Sequence, residues 1–274
     1  MPDESVLIQP VESPVICKPY YEPKGQVKMV PPEAVELYRQ NGYYLHRQSL
    51  FGPEKFRKLC GIFEEHLAQK GEKRADQLDV PHFRDARLFE FLLADEVLDL
   101  VEPFIGPDIA LWSSHFICKE PEIGRATPWH EDSAYWKGRL DRMDQIVTVW
   151  LALDKVDRGN GCMKVIAGSQ ANGFSDYEPV DTTTHLFGRQ IVKDQVDESR
   201  TVYFELEPNQ CSLHDGRLIH GADPNTSTRR RCGYTLRYMA QTSRFIPENN
   251  GTHKIWHARG RNVLGNLVQP VPVF

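Results

Sequence analysis

The chain has 274 residues, of which 40% are hydrophobic and 26% are charged, and its net charge is −5. This length and composition are typical of a globular protein with a substantial core, and they exclude a largely disordered chain. The acidic balance argues against nucleic acid as a main partner, and no apolar run approaches the ~20 residues needed to cross a bilayer. We therefore expect neither a nucleic-acid partner nor a membrane partner.

The first hundred residues predict an arm followed by helices. Residues 1–30 are rich in proline and predict an irregular surface arm. Residues 31–42 predict a helix that begins with proline and ends with glycine. Apolar residues recur every three or four positions in residues 53–71 and 86–100, so two more helices are predicted there.

Short strands are predicted from residue 109 onward, because runs rich in β-branched and aromatic residues alternate with turn signals. The runs cover residues 109–118, 146–153, 163–166, 202–206, 211–214, 218–220 and 233–239. Strands that follow helices, rather than alternating with them, indicate an antiparallel barrel or sandwich. No linker divides the chain, so we expect one domain over residues 1–274. Helical support would cover 31–105, the strand core 109–245 and a C-terminal extension 246–274.

Six cysteines lie far apart, and no two form a C-x-x-C pair. Several stand in apolar stretches, so we expect reduced, mostly buried thiols and a cytoplasmic protein. The even count leaves disulfides as a minor alternative.

The first chemical signal is a His-x-Asp motif. His130 and Asp132 are two residues apart, and in an extended segment such residues face the same side. One imidazole and one carboxylate make two thirds of a facial triad for non-haem Fe(II), and His220, next to a later turn, could supply the third ligand from a distant strand. The motif also arises by chance, so an ordinary loop or core histidine is the alternative interpretation.

Arg231 is the second signal, eleven residues after His220 and near the start of a predicted strand. A guanidinium binds a carboxylate through two parallel hydrogen bonds, and an arginine inside a barrel needs such a partner. The alternative is that residues 229–231 form a solvated basic turn, which we accept for two of the three arginines.

Four blocks of sequence together resemble the phytanoyl-CoA dioxygenase family of Fe(II)/2-oxoglutarate oxygenases, over about residues 30–245. They read TPWHEDSAYW, QIVTVWLALDKV, GNGCMKVIAGSQ and LHDGRLIHGADPNTSTRRRCGYTLRYM. The resemblance implies a mainly β fold with flanking helices around a double-stranded β-helix core, which is a jelly-roll of the cupin-like kind. It also implies that His130, Asp132 and His220 hold Fe(II).

The same resemblance assigns the cosubstrate site. Arg231 would bind the far carboxylate of 2-oxoglutarate, and Trp150 and His115 would line that site; core packing is an equally good interpretation of Trp150. The implied reaction hydroxylates a small organic molecule while 2-oxoglutarate and O2 become succinate and CO2. Two departures from the family pattern are Ala222, where a serine is common, and Gln170, where a histidine is common.

The substrate is the least constrained part of the prediction. Tyr135 and Trp136 follow the His-x-Asp motif, and Arg139 and Arg142 come soon after, so this segment could cover the site with aromatic walls and a cation for an anionic substrate. The alternative is a solvated loop with two anchoring aromatic side chains. His82 could reach the rim of the pocket. The acidic net charge does not favour an acyl-CoA substrate.

Two other functions remain open at this point. A zinc hydrolase could use the same two histidines and one aspartate, but it would not need Arg231. A catalytically inactive jelly-roll binding protein would not need all three metal ligands. Either a monomer or a homodimer is compatible with the sequence.

Overall fold

The computed structural model describes residues 30–272, which form five α-helices and fourteen β-strands. The helices are α1 (Pro32–Asn41), α2 (Pro53–Ala68), α3 (Phe89–Leu92), α4 (Asp95–Ile105) and α5 (Ser133–Trp136). The strands in the first half are β1 (Tyr43–His46), β2 (Leu78–Asp79), β3 (Ile109–Lys119), β4 (Thr127–His130), β5 (Ile146–Ala152), β6 (Met163–Ile166) and β7 (Tyr177–Pro179). Those in the second half are β8 (Arg189–Ile191), β9 (Thr201–Phe204), β10 (Cys211–Asp215), β11 (His220–Ala222), β12 (Arg231–Ala240), β13 (Ile255–Arg259) and β14 (Val268–Gln269).

Two sheets form the β core. The major sheet has the strand order β1-β10-β5-β12-β3-β13-β14, with β2 paired to β3, and the minor sheet has the order β4-β11-β6-β9. All neighbours are antiparallel except β13 and β14. Strands β7 and β8 make a separate two-stranded ribbon.

The major sheet is covered on both faces, which explains why β5 is buried at every position. Val147, Val149 and Leu151 of β5 pack in one apolar cluster with side chains of α1, α2, α3 and α4. Thr148 and Trp150 point the other way and line a cavity. The helices therefore support the outer face of the sheet, and the inner face is free to carry a site.

Two of the three predicted helices are confirmed, and the third is wrong as a single element. Helix α1 ends at Gly42, whose left-handed backbone (φ 81°) favours glycine. The predicted helix over 86–100 is a 3₁₀ turn followed by α3 and then α4. Ala94 is extended, and the acidic Asp95 and Glu96 favour a new helix start there. The apolar pattern continues across this break, so periodicity alone does not show it.

All seven predicted strands are present, with their ends shifted by at most two residues, but the sheets extend beyond residues 109–245. Strand β1 lies between two helices and pairs with β10. Strand β13, from the C-terminal extension, pairs with β3. Strands β2, β4, β7, β8 and β14 were also missed, and each has only two to four residues.

The prediction of reduced thiols is wrong for one pair of cysteines. Cys118 and Cys232 stand directly opposite each other on β3 and β12 and form a disulfide. The sequence separates them by 114 residues, so only the strand register brings them together. Cys60, Cys162 and Cys211 are free thiols. Cys17 and most of the predicted arm, residues 1–29, lie outside the described residues.

Candidate active site

The structure brings His130, Asp132 and His220 together. His130 ends β4, His220 begins β11, and the two are paired in register across the minor sheet, with ring centroids 4.1 Å apart. Asp132 follows β4, and its Oδ1 lies 3.9 Å from His130 Nε2. One ligand atom from each residue lies within 4.8 Å of the other two, and all three residues are buried. This spacing suits a single metal ion held by three protein ligands.

The backbone determines which ring nitrogens face this point. His130 Nδ1 lies 2.9 Å from the carbonyl oxygen of Pro128, and His220 Nδ1 lies 2.9 Å from that of Leu218. A carbonyl oxygen only accepts, so each Nδ1 carries the hydrogen and donates it. Each Nε2 therefore keeps its lone pair, which is the arrangement that orients a histidine for a metal.

Charge and burial set the protonation of the ligands. Burial, together with the neighbouring His220, lowers the pKa of His130 to about 3, so its ring is neutral near pH 7. Burial would raise the pKa of Asp132, but the Arg237 guanidinium, 3.4 Å from its Oδ2, contributes to holding that pKa below the usual range. Arg237 also donates to Thr235 Oγ1. An ionised carboxylate beside a neutral imidazole is the state in which both bind a metal.

Arg231 lies at the start of β12 with 3% of its surface exposed. Its Nε donates to the carbonyl oxygen of Gly161 at 2.9 Å, and its guanidinium lies over the Trp150 ring at 5.0 Å. No carboxylate among residues 30–272 forms an ion pair with it, and burial lowers its pKa to about 10. Its two neighbours differ, as expected: Arg229 pairs with Asp157, and Arg230 pairs with other acidic side chains, Glu64 and Asp154.

Strand register makes room for this arrangement. Gly233, two residues along β12 from Arg231, points to the same face, and a Cβ there would overlap the Trp150 ring. Trp150 packs in a small apolar cluster and also lines the cavity. Glycine at this position therefore lets the indole lie flat beneath Arg231.

A cavity of about 790 Å³ joins these parts, and it contains further polar groups that the sequence did not reveal. His214 of β10 lines it, with its ring 4.9 Å from that of His220, and neither ring nitrogen has a hydrogen-bond partner in the part of the chain that the structure describes. Thr148 of β5, its cross-strand neighbour, has a buried hydroxyl that likewise has no partner among these residues. Unpartnered buried polar atoms are costly, and a bound polar molecule would satisfy them.

Most of the predicted cosubstrate and substrate residues line the cavity, and two do not. His115, Trp150, Tyr135 and Trp136 all line the cavity, as does Arg139. His115 Nε2 lies 3.0 Å from the carbonyl oxygen of Asp76, and burial lowers its pKa.

His82 and Arg142 do not line this cavity. His82 is 2% exposed and packs edge-on against Phe83, Phe89 and Trp256, with Nδ1 2.7 Å from Ser114 Oγ. The adjacent Phe83 reaches the cavity instead. Arg142 pairs with Asp144 on the surface.

Both departures from the family pattern are accommodated. Ala222 lines the cavity without a hydroxyl. Gln170 is structural, since its Nε2 donates to the carbonyl oxygens of Arg39 and Gln40 and ties the turn to α1.

Sequence reasoning missed Arg237, His214 and Thr148. Each lies on a strand that was largely predicted, with its side chain on the inner face. In register, His214 faces Thr148, and Thr148 faces Arg237, so a polar row crosses three strands. Polar residues in otherwise apolar strands were the available signal, but only the register aligns them.

These residues fit Fe(II) and 2-oxoglutarate. Two imidazole lone pairs and a carboxylate supply three ligands and leave other metal positions free. The same cavity holds a buried guanidinium that has no counter-ion within residues 30–272, and such a group suits the carboxylate at the other end of 2-oxoglutarate.

A comparison with protein families decides the identification. The model of the family described as Phytanoyl-CoA dioxygenase (PhyH) matches residues 38–233, which is 196 of the 274 residues. The chain belongs to the PhyH family. This is a family of Fe(II)/2-oxoglutarate-dependent oxygenases, so the predicted family, enzyme class and cofactors are confirmed.

Curated relatives agree with this membership. The mouse peroxisomal phytanoyl-CoA dioxygenase is 31% identical over 146 residues, 52% of this chain and 42% of that protein. A probable alpha-ketoglutarate-dependent hypophosphite dioxygenase of Stutzerimonas stutzeri is 26% identical over 217 residues, 72% of this chain and 74% of that protein. The match spans less than half the length of the mouse protein and 60% of a Caenorhabditis elegans domain-containing homologue.

Solved structures confirm the double-stranded β-helix fold. The non-haem monooxygenase ThoJ in its apo form has a TM-score of 0.72 at 23% identity, covering 87% of this chain and 88% of that one. EvdO2 from Micromonospora carbonacea var. aurantiaca, in complex with 2-oxoglutarate, has a TM-score of 0.64 at 21% identity, covering 77% and 91%. Across residues 30–272, no helix is both long and apolar enough to cross a membrane.

Proposed function

We propose that this PhyH-family protein hydroxylates a small organic substrate, with 2-oxoglutarate and O2 converted to succinate and CO2. The proposal rests on one observation: a set of three metal-binding side chains and a carboxylate-binding arginine lie in one cavity. The His130, Asp132 and His220 side chains converge at one point, and a buried Arg231, which has no counter-ion among the described residues, lines the same space. Fe(II), when bound, would supply the oxygen chemistry, and the protein would supply ligands, orientation and a dry site.

Each residue has a proposed role at a stated atom. His130 and His220 would bind the metal through Nε2, because each Nδ1 donates to a backbone carbonyl. Asp132 would bind through its carboxylate, which Arg237 holds in place and keeps ionised. Arg231 would bind the far carboxylate of 2-oxoglutarate.

The walls of the cavity complete the proposed site. Trp150 would form the wall beneath the cosubstrate, and His115 would line its other side. Tyr135 and Trp136, both in α5, would cover the substrate. His82 is assigned no substrate contact.

The two alternative functions lack support from the site. A zinc hydrolase gives no role to a buried, uncompensated Arg231, and an inactive binding protein does not need three converging metal ligands. No described residue favours either alternative, so we do not propose them.

We further propose one catalytic domain, acting as a monomer or homodimer without nucleic acid or membrane partners. We propose the cytoplasm as its compartment. The free thiols of Cys60, Cys162 and Cys211 support a reducing compartment, whereas the Cys118–Cys232 disulfide and the peroxisomal relatives point elsewhere. Cell fractionation with non-reducing mass spectrometry of the cysteines tests this proposal.

The oxygenase proposal is tested in two steps on one sample. Purified protein is mixed with Fe(II) and 2-oxoglutarate without oxygen, and the metal-to-ligand charge-transfer band is recorded; oxygen is then admitted and succinate is assayed. We expect a band that requires both additions, and slow succinate formation even without substrate. A protein that gives neither band nor succinate would contradict the proposal.

A further inference from the structure

Arg139 lines the cavity and is fixed there by hydrogen bonds with Asn250. Its Nε donates to Asn250 Oδ1 at 2.8 Å, and Asn250 Nδ2 donates back to the carbonyl oxygen of Arg139 at 2.9 Å and to that of Ile246 at 2.7 Å. The guanidinium lies over the Trp112 ring, 4.9 Å from its centroid. A side chain fixed in this way loses little conformational entropy when it binds a ligand.

Arg139 also lacks a counter-ion. No carboxylate among residues 30–272 forms an ion pair with it, although burial disfavours its charge. Asp79 is the acidic residue whose charge acts on Arg139, but its side chain is 66% exposed and its close contact is with His115, at 3.8 Å. A half-buried, preorganised guanidinium with only its Nε hydrogen-bonded can still donate to an anion.

Consecutive contacts connect Arg139 to the metal-binding residues. Arg237 pairs with Asp132 and lies over the Trp136 ring at 5.6 Å. The Trp136 ring meets that of Trp112 edge-on at 6.0 Å, and Trp112 carries Arg139. The wall between the triad and the second arginine is therefore aromatic.

We propose that the substrate carries an anionic group, a carboxylate, phosphonate or sulfonate, which Arg139 binds while the apolar part lies against Trp112 and Trp136. The inference deepens the proposed oxygenase function and rests on it. Arg231 binds one end of the cosubstrate, and Arg139 is a separate specificity-determining residue for the substrate. Both arginines line the same cavity.

The test compares charged and neutral probes of matched shape. Phenylacetate, 3-phenylpropanoate and 4-phenylbutanoate are titrated beside their primary amides, and benzylphosphonate separates phosphonate from carboxylate recognition. Binding is followed by tryptophan fluorescence in metal-free protein with excess 2-oxoglutarate, which occupies Arg231. We expect at least one acid or the phosphonate to bind about tenfold tighter than the neutral probes.

Variants assign this preference to Arg139. Arg139→Gln should reduce the ratio of acid to amide affinity to near one, and Arg139→Lys, which keeps the charge, should retain part of it. Arg142→Gln is the matched control, because it removes a charge from the same segment outside the cavity and should leave the ratio unchanged. Asp79→Asn removes the opposing charge at the rim and should tighten acid binding about twofold to fivefold.

Three results would overturn the inference: equal binding of acids and amides, an unchanged ratio in Arg139→Gln, or no binding by any charged probe. Thermal unfolding of each variant shows whether it is folded, and Arg139→Lys keeps the test decisive if Arg139→Gln does not fold. A charge-transfer band without acid preference rejects this inference alone. A missing band with acid preference rejects the oxygenase and retains an anion-binding cavity.

Discussion

At the scale of single residues, stability and function oppose each other at Arg231. The folded protein buries this guanidinium with one hydrogen bond to a backbone carbonyl, and no carboxylate in the described part of the chain pairs with it. Burying an unpaired charge is unfavourable, and the cost is recovered only when a carboxylate binds. Without a bound carboxylate, the protein is therefore expected to have a lower free energy of unfolding than a variant with an apolar side chain in place of Arg231.

Arg231→Met should raise the free energy of unfolding of the metal-free protein by about 1–3 kcal/mol, because it replaces an unpaired buried charge with an apolar side chain of similar length. Arg230→Met is the matched control and should lower it, since Arg230 pairs with Glu64 and Asp154. Urea unfolding of the two variants checks this. A destabilised Arg231→Met would contradict the claim that this buried charge lowers the stability of the empty site.

His82 should make the fold sensitive to acid. Burial lowers its pKa to about 3, against 6.5 when unfolded, so the unfolded state binds the proton more readily. Its contribution to stability is complete above pH 6.5 and is lost as the pH falls toward 3, by about 2 kcal/mol at pH 5. His82→Phe, which cannot titrate, should show a shallower fall in unfolding free energy between pH 7 and pH 4. Identical slopes would contradict the assignment.

At the scale of elements, β12 contributes three side chains to the wall of the cavity. Alternate residues face the helices or the cavity, and Arg231, Thr235 and Arg237 share the cavity face with Gly233. Gly233 has no side chain, and the Trp150 ring from β5 occupies the space that a Cβ would need. The position of Arg231 on β12 therefore depends on the Trp150 ring of β5, over which its guanidinium lies.

Gly233→Ala should destabilise the protein by about 1–3 kcal/mol and weaken 2-oxoglutarate binding, because the added Cβ displaces the Trp150 indole. Gly61→Ala is the control: Gly61 lies in α2 with nothing near its missing Cβ. That change should stabilise the helix by about 0.5–1 kcal/mol. Thermal unfolding and a 2-oxoglutarate titration of both variants measure the difference. Equal behaviour of the two variants would remove the packing role given to Gly233.

Elements also show how far sequence reasoning extends. Proline and glycine correctly placed the ends of α1, and the strong β patterns placed β3, β5 and β12. His130, Asp132, His220 and Arg231 were found because their spacing forms a motif. Arg237 and His214 were not found, because their meeting with the triad depends on which strands pair and in what register. The Cys118–Cys232 pair was missed for the same reason.

At the scale of the whole molecule, distant parts of the chain complete one cavity. Strand β1 from the helical region extends the major sheet, and the C-terminal extension supplies β13 and Asn250, which fixes Arg139. The helices pack against the outer face of the same sheet. A ligand that binds in the cavity binds only the folded protein, so it stabilises the entire fold.

Fe(II) and 2-oxoglutarate together should therefore raise the melting temperature. At 100 times the dissociation constant, a ligand adds about 2.7 kcal/mol, which is about 5–10 °C for a domain of this size. Differential scanning fluorimetry under argon measures the shift, and a chelator should reverse the part that is due to metal. His130→Ala should abolish the metal-dependent part, because it removes one of three ligands. An equal shift in that variant would place the metal elsewhere.

The central claim is that one cavity holds the metal and the cosubstrate through separate residues, and parallel titrations of wild type and Arg231→Met test it most directly. Fe(II) affinity is measured first, and 2-oxoglutarate affinity is then measured anaerobically from the charge-transfer band. We predict an unchanged Fe(II) affinity and a 2-oxoglutarate affinity at least about 30-fold weaker, since the lost charged pair is buried. Equal 2-oxoglutarate affinity in the two proteins would contradict the claim.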